Sequence, residues 1–265
     1  MTTTVSTLEM EVQPVVDGNA LVADGSILRT PFGNAIQHTS SALIRSIITE
    51  FEGKGDVVIS NGVIEDPKFF GTLALLTIQR DYVERGNDDL TLAFQQCMLA
   101  DPTLMCIPGP EQMQREAAYG PIRSWLDGDY QFLRTYTTQT QSLAFETELE
   151  AMVDAKVHAE AGRVIKRISR MYQRLTLEER TVVMYLYAMH DHNLLMAMSL
   201  VANPRCTPAA YASGVVAALM LDSKVFSDVR AAETREAFSQ YESDAAIARS
   251  YLRMAAGSND DQLED

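Results

Sequence analysis

The sequence predicts an α+β protein, with a small N-terminal antiparallel β domain followed by a larger, mainly α-helical domain. Three observations predict it. Short apolar runs separated by Asp-Gly and Asn-Gly turns crowd residues 12–62. Helical periodicity and helix caps dominate residues 66–255. At 265 residues the chain is long enough to bury a substantial core.

The β region is read from its turns. Val12 to Val16 ends in Asp17-Gly18-Asn19, Ala20 to Ala23 ends in Asp24-Gly25, and Ile27 to Thr30 ends in Pro31-Phe32-Gly33-Asn34, before Ala35 to His38. Glycine accepts the positive φ that tight hairpin turns require, so this spacing predicts an antiparallel meander. A helix follows. Thr39 or Ser40 caps it, Leu43, Ile44, Ile47, Ile48 and Phe51 form one apolar stripe, and Gly53 stops it. Val57 to Ser60 is a further short strand, closed by Asn61-Gly62.

Beyond Asp66 the pattern changes to helical. Pro67 starts a helix running toward Tyr82, and Leu90 to Leu99 forms another. Three prolines make 101–110 a loop, Glu111 to Leu126 resumes the helix with Pro121 as a point of bending, and 128–140 reads as a short strand or an irregular crossing. Helices over 143–161 and 164–175 are divided by Gly162. Thr176-Leu177-Glu178-Glu179 is a capping box opening a helix to about Val201. Thr207-Pro208 starts the next, through Leu221, and a last helix spans about Asp222 to Ala255. The acidic tail, 256–265, is expected to be disordered.

Charge narrows the function. The 22 Lys+Arg against 36 Asp+Glu give a net charge of −14. This opposes binding nucleic acid, which needs clustered cations to release phosphate counterions, and equally opposes anionic lipid. Cys97, Cys106 and Cys206 form no CxxC pair, and their odd number argues for a reducing compartment over a disulfide framework. The best candidate span, Thr181 to Ala202, is interrupted by His190-Asp191-His192, so no membrane insertion is expected. Met1 to Glu11 carries two glutamates before the first basic residue, Arg29, and reads as neither signal nor transit peptide.

Catalytic chemistry finds little purchase. On a helix, His190 and His192 point about 200° apart and cannot grip one ion, so a polar helix patch is the reading there, and likewise for the isolated His38 and His158. Nucleotide-cradle and common hydrolase motifs are absent from the sequence, and Asp88-Asp89 and Asp260-Asp261 read as surface charge pairs. No cofactor, no metal and no enzymatic activity is expected. The 13 methionines include Met184, Met189, Met196, Met198 and Met220 in the late helices. They read either as a methionine-rich core or as an adaptable groove for an apolar partner.

Two blocks carry a resemblance. Asp24-Gly25-Ser26-Ile27-Leu28-Arg29-Thr30-Pro31, with Gly33-Asn34 and the helix ending in Glu50-Phe51, resembles the Atp-twelve family of ATP synthase assembly chaperones. Tyr119 to Trp125, keeping Pro121 and Trp125, is similar to a second block of that family, and Cys106 falls at a third. The resemblance implies a non-enzymatic protein that holds the free ATP synthase α subunit until the β subunit replaces it. It places partner binding on the late helix, at Asp222, Phe226 and Arg230, and gives Asp24, Gly25, Arg29, Thr30, Pro31, Glu50, Pro121 and Trp125 structural roles. Phe226 and Arg230 stand where the family has Gln and Trp, and Ala231 replaces its Gly.

Those departures motivate an alternative, a chaperone fold retained as a permanent structural subunit of a large mitochondrial assembly such as the ATP synthase. The resemblance implies the mitochondrial matrix, with a bacterial cytoplasm as the alternative.

Overall fold

The computed structural model describes residues 2–5, 9–52, 57–64, 71–94, 117–119, 122, 125, 166, 168–190, 193–222 and 228–257, with backbone alone at 2–5, 57, 218–222 and 228–234. The fold is α+β, with antiparallel sheet at the N-terminus and a larger, mostly helical region after it. The chain packs as two compact units. One contains Met1–Asp88, Thr176–Tyr185 and Ala246–Asp265; the other contains Asp89–Leu175 and Leu186–Ala245.

In the first unit, β2 (Met10–Val15), β3 (Gly18–Ala23), β4 (Ser26–Ile27) and β5 (Gln37–His38) form one sheet. Strand β3 pairs with β2 along one edge and with β4 and β5 along the other. That central place buries Ala20, Leu21, Val22 and Ala23 on both faces, so the run is continuous where a half-exposed strand would alternate. Asp24 (φ 50°) and Gly25 (φ 69°) form the two-residue β3–β4 turn, both in the left-handed region as a type I′ hairpin requires. The β2–β3 turn falls at Val16-Asp17, one residue before the predicted tripeptide. Gly18 is instead needed where β3 meets the chain after β5, since a β-carbon there would lie 2.6 Å from the His38 carbonyl oxygen.

A second sheet has the order β1-β6-β7, from Thr2–Val5, Val57–Ser60 and Val63–Ile64. Its β6–β7 turn repeats the positive-φ pair at Asn61 and Gly62. The N-terminal strand β1 carries no apolar alternation and was not predicted; it exists through antiparallel pairing with β6. Arg29 links the sheets, its N–H donating to the Gly62 carbonyl at 2.8 Å.

Helix α1 (Ser41–Phe51) starts as predicted at Ser40, whose hydroxyl accepts from the Leu43 N–H. It buries Leu43, Ile44, Ile47 and Phe51. Gly53, its predicted stop, lies outside the described residues, as does Pro67. Helix α2 (Thr72–Asp81) follows Gly71 and ends in a 3-10 turn at Val83–Arg85.

The helix predicted from the capping box is two helices, α3 (Leu177–Met189) and α4 (Leu194–Ala202). The capping box itself forms, with Thr176 N–H donating to Glu179 Oε2 at 2.8 Å and Glu179 N–H to Thr176 Oγ1 at 3.2 Å. The polar run from His190 to Asn193, read as a patch within one helix, falls at the break, and α4 beyond it is buried on nearly every side. Helix α5 (Pro208–Asp222) is capped by Thr207, and α6 (Asp228–Ala255) is the last. The predicted loop at 101–110, crossing at 128–140 and helix at 143–161 lie outside the described residues, as do Cys97, Cys106, His158 and tail residues 258–265 with Asp260-Asp261.

Candidate functional site

The motif residues of the β region converge on the end of α2. Thr30 is 1% exposed, and its Oγ1 donates to Asp81 Oδ1 at 2.5 Å while accepting from the Asn34 N–H. Asn34 Nδ2 donates to the same oxygen at 2.5 Å, and Phe32 N–H donates to Oδ2 at 3.3 Å. Asp81 is itself buried, so its carboxylate acts as the knot that ties loop 30–34 to the helix. Within the loop, Gly33 N–H donates to the Thr30 carbonyl, and Arg29 Nη1 donates to the Gly33 carbonyl at 2.8 Å. Arg85 Nη2 reaches Asn34 Oδ1 at 2.9 Å from the 3-10 turn.

This fastened loop presents an aromatic side chain. Phe32 is 54% exposed and packs against Tyr82, itself 40% exposed, with ring centroids 5.5 Å apart. The Arg85 guanidinium lies 6.0 Å from the Phe32 ring centre. Pro31 is exposed beside it. Asp81, Tyr82 and Arg85 carry no local motif, and sequence reading missed all three.

Glu50 plays a different part. Both of its carboxylate oxygens accept from the Thr72 N–H, at 2.8 and 3.0 Å, and Oε1 also accepts from Thr72 Oγ1. It thereby supplies the N-terminal cap of α2 from another helix, where Gly71 has no side chain to do so.

The second unit holds a buried polar chain. Tyr211 O–H and His190 Nδ1 lie 2.7 Å apart, and His190 Nε2 lies 3.0 Å from Asp244 Oδ2. Gln240 Nε2 donates to the other Asp244 oxygen, and the Tyr241 ring packs edge-on to the imidazole. A carboxylate only accepts, so Nε2 carries a proton toward Asp244, while Nδ1 pairs with the Tyr211 hydroxyl. The order resembles a proton relay, yet His190, Tyr211 and Asp244 are each at most 2% exposed. The chain pins the α3–α4 break to α5 and α6. The polar helix patch predicted at His190 is thus corrected: the residue is buried because its two nitrogens are satisfied. Asp191 and His192 lie outside the described residues.

Two other expectations change. His38 is buried, its Nδ1 accepting from the Ser40 N–H, and its Nε2 lies 3.9 Å from Glu178 Oε1. Asp88 is not a surface charge; it is buried and paired with Arg180 at 2.6 Å, whereas Asp89 is exposed. The methionines divide, Met196 and Met198 being core and Met189 43% exposed. Trp125 is half-buried, and of the same block Tyr119 and Ile122 are buried; Pro121 lies outside the described residues. Asp222 ends α5 and Arg230 lies in the first turn of α6, their side chains outside the description, as is all of Phe226. Among the described residues no three His, Cys, Asp or Glu gather to hold a metal, and no helix is long and apolar enough to cross a membrane.

Against known proteins, the fold has clear counterparts and the sequence does not. No family model matches the chain, and no curated protein matches it significantly. Atp12 from Paracoccus denitrificans superposes over 93% of this chain and 96% of its own, with a TM-score of 0.57 and 13% identity. A point mutant of the same protein matches equally well, over 95% of its own length. Atu1473 from Agrobacterium tumefaciens, a protein with a proposed chaperone role, superposes over 93% of this chain and 86% of its own, with a TM-score of 0.58 and 14% identity. The chain therefore has the fold of the bacterial Atp12 chaperones.

Proposed function

We propose that this chain is a non-enzymatic, protein-binding member of the Atp12 fold, retained as a structural subunit of a large assembly such as the ATP synthase. One observation carries the reading: the whole fold is kept over 93% of the chain while identity has fallen to 13%. A fold kept while the sequence diverges this far accommodates a changed, permanent partner. The altered residues Phe226, Arg230 and Ala231 support this reading over a transient holder of the free α subunit.

The named neighbours come from bacteria, which supports a bacterial cytoplasm ahead of the mitochondrial matrix. The test is affinity purification of the full chain in mild salt, followed by native gel electrophoresis. Stoichiometric recovery in an intact complex is the expected result. Recovery of free α subunit without its β partner would instead establish the transient chaperone. In that case Asp222→Asn should reduce α-subunit solubility on co-expression.

A further inference from the structure

We infer that the Phe32–Tyr82–Arg85 surface is a docking anchor for a protein segment carrying a carboxylate beside an aliphatic or aromatic side chain. The inference rests on the protein-binding reading and names where, and with what chemistry, binding occurs.

The first argument is composition. Phe32 and Tyr82 are exposed yet packed together, and Arg85 stands over the Phe32 ring. Aromatic residues and arginine dominate binding hot spots because they offer large, stiff contact area with a polar handle.

The second is order. The tip of a surface loop ordinarily has to be stilled on binding, at an entropic cost. Here Thr30, Phe32 N–H and Asn34 are all tied to the buried Asp81 carboxylate, and Arg85 is held by Asn34. The anchor is set before a partner arrives.

The third is charge. The protein carries −14 overall, yet among the described residues of this surface Arg29, Arg80 and Arg85 outnumber Asp81 and Glu84. Asp81 is buried with both oxygens engaged, and Glu84 is paired with Arg80 at 2.6 Å. Arg29 and Arg85 are exposed, and neither faces a carboxylate among the described residues. An acidic group is the complement to that surplus. A second copy is disfavoured, since it would bring the same cations and another −14 against the first.

The test uses the full chain with Phe32 replaced by photoreactive p-benzoyl-phenylalanine, purified from its own cells at about 50 mM salt and then irradiated. Adducts should map to a segment of another protein with Asp or Glu within a few residues of an aliphatic or aromatic side chain. Arg85→Glu should lower recovery of that protein about tenfold or more, with the melting temperature unchanged, and Arg85→Lys should lose less. Adducts confined to residues 258–265 of this chain or to a second copy overturn the proposal. So does a complex that survives both Phe32→Ala and Arg85→Glu; in either case protein binding itself stands. Recovery of no partner at all overturns the protein-binding reading and this surface with it.

Discussion

Glu50 caps a helix to which it does not belong: its carboxylate takes the Thr72 N–H on both oxygens, 22 residues further along the chain. Thr72 is buried, so removing the acceptor strands a donor away from water. Glu50→Ala should cost about 1–3 kcal/mol in urea unfolding, and Glu50→Gln, which keeps one acceptor oxygen, distinctly less. Gly71→Ala should be comparably damaging. Its φ is +91°, and the added carbon would meet the Glu50 carboxylate at 2.5 Å.

Asp81 is the second such knot. Asp81→Ala leaves the Thr30 hydroxyl, the Asn34 amide and the Phe32 N–H without their acceptor, and should cost roughly 2–4 kcal/mol. Thr30→Val, removing one strand of it, should cost about 1–2 kcal/mol. A double-mutant cycle between the two should show coupling of about 1 kcal/mol or more, whereas Pro31→Ala, exposed, should change stability little.

In the helical unit, Tyr211→Phe removes only the hydroxyl that His190 Nδ1 faces, and should cost about 1–2 kcal/mol. His190→Phe abandons both Tyr211 and the buried Asp244 carboxylate, and should cost about 3 kcal/mol or more. Pairing His190→Phe with Asp244→Leu should recover part of that loss by removing the stranded charge. Chemical denaturation with tryptophan fluorescence reads both.

Acid sensitivity has an assignable source. The His38 side chain holds the Glu178 carboxyl down at about 2, against the partial opposition of burial, with the Glu178 N–H and the Thr176 hydroxyl adding to the effect. A depressed carboxylate is worth most above its unfolded pKa of 4.5, and its contribution falls as pH drops through that value toward 2. Stability should therefore decline from pH 5 to pH 2, and Glu178→Gln should flatten that part of the profile. Half-exposure keeps the effect small.

What was legible beforehand was local. Asp24-Gly25 announced a hairpin, and Asn61-Gly62 marked the close of a strand, because positive φ at two successive positions is a demand that few dipeptides meet. Thr176 with Glu179, and Thr207 ahead of Pro208, marked helix starts because each cap finds its partner within one turn, Thr207 Oγ1 accepting from the Ala210 N–H. What escaped was set by distant pairing. Strand β1 has a polar, threonine-rich sequence and owes its existence to β6. The break at His190 was read as a polar patch on one helix, because the burial of His190 depends on Tyr211 and Asp244, 21 and 54 residues further along. Of the candidate site, Arg29, Thr30, Pro31 and Glu50 were found through resemblance alone. Asp81 and Arg85 come from an element about fifty residues away, and nothing near them in sequence marks them.

Tyr251 donates its hydroxyl to Gln79 Oε1, 172 positions away, within the unit that holds the N-terminal sheets. Burial, assisted by the nearby Glu178 and Glu84 charges, keeps that hydroxyl protonated far above the ordinary tyrosine range. On the ribosome, the N-terminal sheets must wait for α6 before their unit is complete. Until then Gln79 Oε1 lacks the hydroxyl it accepts from in the finished molecule. A unit held together by residues 172 positions apart in sequence forms only when distant parts of the chain meet.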